Sequence, residues 1–456
     1  MAYFPSSVTW PSILGEIYSA ALTVPAFNWQ CSPAVTELET IVLDWMAGLL
    51  HLPESFLSRG EGGGVIQGSA SESIVTVMVA ARERFVKKAS EGLTGKEQKN
   101  KISQLRGKLV ALGSEQSHSS TMKAAIIAGV HYRAISCRLE DDLALTGQGF
   151  QGMLEECKRE GLEPFYLTTT LGTTATCAVD HFDEITAINN RASLFPPLWI
   201  HVDAAYAGSA LVCEEFAYLT AAFSHVDSFD MNMHKWLLTN FDASCLYVRH
   251  RRDLTDVLSV TPSYLRNEFT DRGLVTDYRD WQIPLGRRFR AMKIWFVLRT
   301  YGIKGLKAHI RKHIAIGEKF ATWLRERPDL FQVVTPPAFA LSVFTLVLPI
   351  NNGSKKAELP DGTTQTGVNE GVFTADLKPD TSSEEQDRTN TLTKAVYEHI
   401  NASGKFFLTS GVVKDIYAIR VVSANEKANE KSLRQVFELL ISTREESIEK
   451  MQINDA

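Results

Sequence analysis

Two rhythms of apolar and polar positions alternate along this chain. In residues 10–22 and 36–50 apolar side chains recur every three to four positions, the spacing of an amphipathic helix. Residues 74–85 repeat it, and the lysine-rich, polar stretch 86–107 reads as a surface helix. Between such stretches lie short continuous apolar runs at 108–112, 165–171, 198–202, 226–231 and 244–248. Runs of strand length with polar tips, separated by helical stretches, predict a doubly wound, mainly parallel α/β sheet. A long helix is expected over 289–301. Beyond about residue 302 helices and short strands alternate (306–324, 342–348, 391–400, 417–422, 430–450), which predicts a smaller α+β domain.

Loops punctuate this pattern. Pro25, Phe27, Trp29 and Pro33 form an aromatic, proline-broken loop that suits either a core or the wall of an apolar substrate pocket. Residues 262–277 have mixed charge and little periodicity, as expected of a lid, and they carry Tyr264. Residues 351–387, rich in Gly, Thr, Ser, Pro, Asp and Glu, read as a mobile insertion.

Composition narrows the function classes. With 456 residues, 44% hydrophobic and 22% charged, the chain can bury a large core and a satellite. A net charge of −5 argues against nucleic acid as the main partner. No apolar run approaches membrane-spanning length, and the six cysteines are scattered, as in a reducing compartment, so a cytoplasmic protein is expected. His309 and His313 sit one helical turn apart without an acidic partner, so no metal site is expected.

The chemistry sits at the predicted strand tips. The run 198–202 delivers Asp203, and the run 226–231 delivers Asn232, His234 and Lys235. Ligands of open α/β sheets bind beyond the carboxyl ends of strands, so a carboxylate and a lysine are expected at one mouth. That pair suits pyridoxal phosphate, which needs a lysine for its aldehyde and an acid for its ring nitrogen; an ordinary Asp–Lys ion pair is the plainer alternative. After residue 112 the strand-to-helix loop carries His118, a candidate for ring stacking or acid–base work. The stretch GEGGGVIQGSASES (60–73) places Ser69 or Ser71 at a helix start, either a phosphate site or only a capped helix.

SPAVTELE (32–39), EGGGVIQGSASE (61–72), HVDAAYAGSA (201–210), HKWLLTNFD (234–242) and DYRDWQIPLGRRFR (277–290) stand in one order and register. On these segments the chain resembles the aromatic-L-amino-acid decarboxylases of the pyridoxal-phosphate group II decarboxylase family. The resemblance implies an aspartate-aminotransferase-like fold, with residues 1–10 as a dimer and pocket segment, 11–292 as the large domain and 293–456 as the small one. It implies a homodimer, and decarboxylation of an aromatic L-amino acid (tryptophan, 5-hydroxytryptophan, tyrosine or dopa) to its amine. An aromatic aldehyde synthase and a catalytically impaired homologue are the alternatives.

Carried over residue by residue, the resemblance makes Lys235 the Schiff-base lysine, Asp203 the partner of the ring nitrogen and His118 the stacked imidazole. Ala205 packs on the other ring face, and Thr174 lies beside the cofactor. Ala70, Ser71, Asn232 and His234 contact the phosphate. Tyr264, reaching in from the partner subunit, protonates the carbon left by carbon dioxide. Tyr3, Phe4, Pro25 and Phe27 line the aromatic pocket, and Gly286 leaves room that leans toward an indole. Met233 stands where the family usually has proline. Relatives carry a leading segment that clasps the second subunit, so a chain beginning at Met1 is expected to dimerise more weakly.

Overall fold

The computed structural model describes residues 1–191, 193–260, 268–272, 275–349 and 383–454. It divides into two compact units, residues 4–312 and residues 1–3 with 313–456.

The larger unit is built on seven strands: β1 (Gly63–Gln67), β2 (Leu109–Ser114), β3 (His131–Ile135), β4 (Glu163–Thr170), β5 (Trp199–Asp203), β6 (Ser228–Asn232) and β7 (Ser244–Val248), in the order β1-β7-β6-β5-β4-β2-β3. β3, β2, β4, β5 and β6 run parallel, while β7 is antiparallel to both of its neighbours. All five residues of β5, β6 and β7 are buried, which is why these strands read as unbroken runs. Helix Ala70–Ala89 begins at Ser69, whose side chain accepts from the N–H of Glu72, and its Ile74, Val77, Met78 and Ala81 pack in one core with Val65, Leu109, Phe165, Trp199 and Leu246. Burying side chains of this kind contributes roughly 1.5–3 kcal/mol each.

The expected mainly parallel sheet is present, and helices Trp10–Leu22, Pro33–Leu49 and Ala70–Ala89 fall where the spacing puts them. The polar stretch 86–107 is not one helix: the first helix ends at Ala89 and a second, Gly95–Arg106, follows. Glycine-rich residues 62–64 turn out to serve packing. A Cβ on Gly62 would stand 2.0 Å from the Ser55 carbonyl oxygen, and one on Gly64 2.8 Å from the Tyr247 ring. These residues run into β1, paired with β7, so the approach they permit is to the sheet itself.

The smaller unit carries an antiparallel sheet of β8 (Phe331–Ala338), β9 (Leu341–Leu346), β10 (Thr409–Val413) and β11 (Ile416–Val422), in the order β10-β11-β9-β8. Helices Ser383–Ala402 and Glu430–Asn454 cover it with Leu392, Val396, Leu433, Val436 and Phe437. The long helical element Ala291–Arg325 is broken at Gly302, which adopts φ +60° and ψ 179°. Most of the expected insertion 351–387 lies outside the described residues.

Candidate active site

Strands β4, β5 and β6 end side by side. Their registers pair Thr170 with Asp203 and Asp203 with Asp230, so one row of polar side chains crosses three strands at their carboxyl ends. Beyond this row lies a cavity of about 160 Å³. Thr170 and Asp203 form its floor; Asn232 ends β6, and Ala205, Tyr206 and Lys235 come from the segments that follow β5 and β6. His118 enters from the loop after β2 and Ser120 from the helix that follows it, Gly172 and Thr174 from the loop after β4. Ser69, Ala70 and Ser71, the start of helix Ala70–Ala89, close another side, and Phe4 completes the wall.

Local hydrogen bonds fix these side chains. Asp203 Oδ1 accepts the N–H of Ala205 at 3.0 Å. Asn232 Oδ1 accepts the N–H of Ala70 at 3.2 Å, and its own N–H donates to the Ala205 carbonyl, tying the helix start to the β5 and β6 tips. His118 caps helix Ser119–Ala128: its Nδ1 accepts the Ser120 N–H at 3.2 Å and lies 2.8 Å from the Ser120 hydroxyl. That leaves Nε2 to carry the proton of the neutral ring. Gly172 has φ +85°, and a Cβ there would come 2.4 Å from the Ala207 Cβ, so the turn after β4 requires glycine.

Lys235 sits in the short helix Met233–Trp236, begun by a fully buried Met233. Ser7 donates its hydroxyl to the Lys235 carbonyl at 2.9 Å and its N–H to the His234 carbonyl at 2.8 Å. The same N-terminal segment lays Phe4 on Tyr206 (3.7 Å between ring centroids, 14° apart), and Tyr206 stacks on Trp236 at 4.8 Å. Lys235 Nζ stands 5.6 Å from the Phe4 ring centroid, a cation–π distance. Burial lowers the Lys235 pKa, opposed by the charges of Asp203 and Asp230. Burial likewise lowers that of His118, with Asp203 raising it and Lys235 lowering it.

The cavity thus gathers Lys235, Asp203, His118, Ala205, Ala70, Ser71, Thr174, Asn232 and Phe4 from the residues singled out in the sequence. His234 is not among its lining residues: it is buried, its Nδ1 3.0 Å from the Ala243 carbonyl oxygen and its ring against Phe241. Pro25 accepts the Ser32 hydroxyl and Phe27 the Arg279 N–H through their carbonyls, and neither lines the cavity. Tyr3 belongs to the smaller unit, 6.2 Å from the Phe407 ring. Gly286 is exposed, and a side chain there would meet nothing within 4 Å. Tyr264 lies outside the described residues.

Sequence reasoning passed over Thr170, Tyr206 and Asp230. Thr170 closes an apolar run whose last residues were read only as polar tips, and Tyr206 stands within the HVDAAYAGSA segment. Asp230 is a carboxylate inside a run that otherwise reads as a buried strand.

The donor set fits pyridoxal phosphate: an amine and a carboxylate face one small space, the buried Thr170 hydroxyl lacks a hydrogen-bond partner among the described residues, and a helix start carrying Ser69 and Ser71 borders the same space. Comparison with known proteins agrees. Residues 1–347 match the family described as the pyridoxal-dependent decarboxylase conserved domain. Aromatic-L-amino-acid decarboxylase of Rattus norvegicus is 44% identical over 350 residues, 76% of this chain and 70% of that one. Phenylacetaldehyde synthase of Arabidopsis thaliana is 38% identical over 442 residues, 96% of this chain and 80% of that one. The crystal structure of Oryza sativa TDC with PLP and tryptamine superposes with a TM-score of 0.84 at 33% identity, covering 98% of this chain and 83% of that one.

Proposed function

The chain belongs to the pyridoxal-dependent decarboxylase family, carboxy-lyases that use pyridoxal 5′-phosphate, and we propose that its substrate is an aromatic L-amino acid, converted to the arylalkylamine and carbon dioxide. The observation that carries this reading is the meeting of Lys235 and Asp203 in one cavity beside His118 and a helix start. The similarity to an aromatic-L-amino-acid decarboxylase supports the aromatic substrate class.

Bound there, the cofactor supplies an electron-withdrawing ring that accepts the electron pair left by the departing carboxylate. In our reading Lys235 would hold the aldehyde end of the cofactor; its lowered pKa favours the neutral amine that attack on an aldehyde needs. Asp203 keeps a proton on the ring nitrogen, and the Ala205 N–H fixes the angle of that carboxylate. His118 and Ala205 hold the ring faces, with Thr174 at the edge. Ala70, Ser71 and Asn232, which line the cavity, would hold the phosphate end; His234 does not line it and is given no part in this reading. Phe4, with Tyr206 and Trp236 behind it, makes an apolar wall that excludes water from the reacting carboxylate and supports a place for an aromatic side chain. Tyr264 delivers the proton to the α-carbon.

The working form in this reading is a homodimer. Helix Trp10–Leu22 exposes Trp10, Leu14, Ile17, Tyr18 and Leu22, an apolar face that a second copy would cover. All six cysteines are free and five are buried, which supports a reducing, cytoplasmic setting. Among the described residues no helix is long and apolar enough to cross a membrane.

Similarity to an aldehyde synthase supports a second reading, in which the substrate is decarboxylated and oxidatively deaminated to the aldehyde in the same site. Assay of carbon dioxide, amine, aldehyde and hydrogen peroxide from tryptophan, 5-hydroxytryptophan, tyrosine and dopa separates the two. Tyr264→Phe keeps the ring and removes the proton donor. It is expected to shift product from amine toward aldehyde, ammonia and peroxide, with one oxygen and one water consumed for each carbon dioxide released. Amine as the main product at an undiminished rate would assign the proton to another group.

A further inference from the structure

Most buried carboxylates of this chain are given a cation or two backbone N–H groups. Glu39 meets Arg287 at 2.6 Å, Asp227 meets Arg84 at 2.8 Å, and Asp277 and Asp280 meet Arg279 at 3.5 and 3.6 Å. Asp180 accepts the N–H groups of Leu145 and Thr170 at 2.8 and 2.7 Å. Asp203 and Asp230 have no ion-pair partner among the described residues, and both are buried.

These two are register partners in β5 and β6. Paired residues of neighbouring parallel strands carry their side chains on the same face, and the strands lie about 4.8 Å apart. The two carboxyl groups therefore stand side by side. Asp203 lines the cavity, whereas Asp230 lies wholly inside the sheet. Asp230 Oδ2 accepts the Ser244 hydroxyl at 2.6 Å, and its Oδ1 has no hydrogen-bond partner among the described residues. A bare buried oxygen on an ionised carboxylate is costly; on a neutral acid it is much less so.

The titratable groups that face Asp230 are Asp203 on β5, Lys235 after β6, Tyr166 on β4 and Cys245 on β7, and the Ser73 and Ser244 hydroxyls lie against it. Burial holds Tyr166 and Cys245 in their neutral forms. Among these groups Lys235 is the one cation, set against two carboxyls. At strand spacing in a buried floor, the charge of Asp203 opposes a second charge on Asp230.

We propose that Asp203 and Asp230 hold one proton between them near neutral pH and that Asp230 is its keeper, a positioning residue that leaves Asp203 charged toward the cavity. The Asp230 carboxyl is pushed up to about 7 by burial first and by Asp203 second. Above that pH its charge adds to the pull that keeps Lys235 an ammonium, and an ammonium cannot attack an aldehyde. The pair therefore ties cofactor capture to pH. This last step rests on the proposed roles of Asp203 and Lys235; the shared proton does not.

Asp230→Asn tests the idea, since asparagine keeps the shape and mimics the neutral acid. In infrared titration of the full chain, with and without pyridoxal phosphate, the difference between wild type and variant, in which the Asp180 band cancels, is expected to show a protonated-carboxyl signal that fades through neutral pH. In Asp203→Asn the same signal is expected to fade at lower pH, its neighbouring charge being gone. Separately, the rate of pyridoxal phosphate uptake by Asp230→Asn relative to wild type is expected to rise about threefold or more from about pH 6 to about pH 8.5. A merely structural role would shift uptake equally at every pH. Absence of that difference signal, or failure of Asp203→Asn to move it, overturns the shared proton. If both signals behave as expected but the uptake ratio stays flat, the coupling to Lys235 is overturned and the pair stands.

Discussion

The two sheets of this protein solve burial in opposite ways. In the smaller unit Phe320, Phe331, Phe344 and Phe437 meet at ring-centroid distances of 5.5 to 6.5 Å, and Leu392, Val396 and Leu433 fill the space around them. Its buried polar groups include the hydroxyls of Thr345 and Thr393, bonded to each other at 2.9 Å. In the larger unit the row Thr170–Asp203–Asp230 and, two residues earlier, the row Thr168–His201–Ser228 put hydroxyls, carboxylates and an imidazole inside the sheet. Among the described residues every buried carboxylate belongs to this unit. A polar group inside a sheet costs stability unless it is paired. The larger sheet carries buried carboxylates up to the strand ends where the cavity opens, whereas the smaller sheet buries hydroxyls and the Arg420 guanidinium but, among the described residues, no carboxylate.

The comparison can be broken most severely at Lys235. Lys235→Ala is expected to lower turnover by at least about 10³-fold while leaving the thermal unfolding temperature nearly unchanged, because the side chain is used for exchange and not for packing. Assaying amine release and melting on one preparation checks it; a large drop in melting temperature would make Lys235 part of the fold.

Phe344→Ala should do the reverse. Phe344 is fully buried between Phe320 and Phe331, so truncation should cost about 3–5 kcal/mol of stability. Below the unfolding transition the cofactor absorbance is expected to be unchanged. A changed spectrum in the folded protein would show that the smaller core shapes the site.

A smaller effect separates the sheets by pH. Asp230 and Asp180 are both pushed up to about 7 by burial, far above the value of about 4 that an unfolded aspartate has. Between those values the folded chain holds more protons than the unfolded one, so their contribution to stability is full below about pH 4 and is lost as pH rises through about 7. In the cofactor-free protein Asp230→Asn should flatten that decline without removing the Asp180 share. Denaturant midpoints at several pH values read the slope, and an unchanged slope would mean that Asp230 is ionised throughout.

How much of this was legible depended on burial. β5, β6 and β7 read plainly because all of their residues are inside, and with them came Asp203 and Lys235 at the tips. β3 escaped because it is an edge strand whose first four residues are exposed or half-buried, leaving no apolar run to see. β8 ends in Thr335, Pro336, Pro337 and Ala338, letters that signal a loop, and β1 was masked by the glycines that let it pack. Asp230 was hidden for the opposite reason: one carboxylate in a strongly apolar run does not change how the run reads, and only the register with Asp203 gives it meaning. Tyr206 and Thr170 were recoverable only once the fold had brought three loops around one space.

Lys235, at the β6 tip, is proposed as the residue that holds the cofactor. Treating the pyridoxal-phosphate-loaded protein with borohydride fixes the cofactor to whichever lysine it has joined, and peptide mass mapping then names that lysine. One phosphopyridoxyl group per chain is expected, on the peptide that contains Lys235, and none in Lys235→Ala. Label on a different lysine, with Lys235 unmodified, would contradict it.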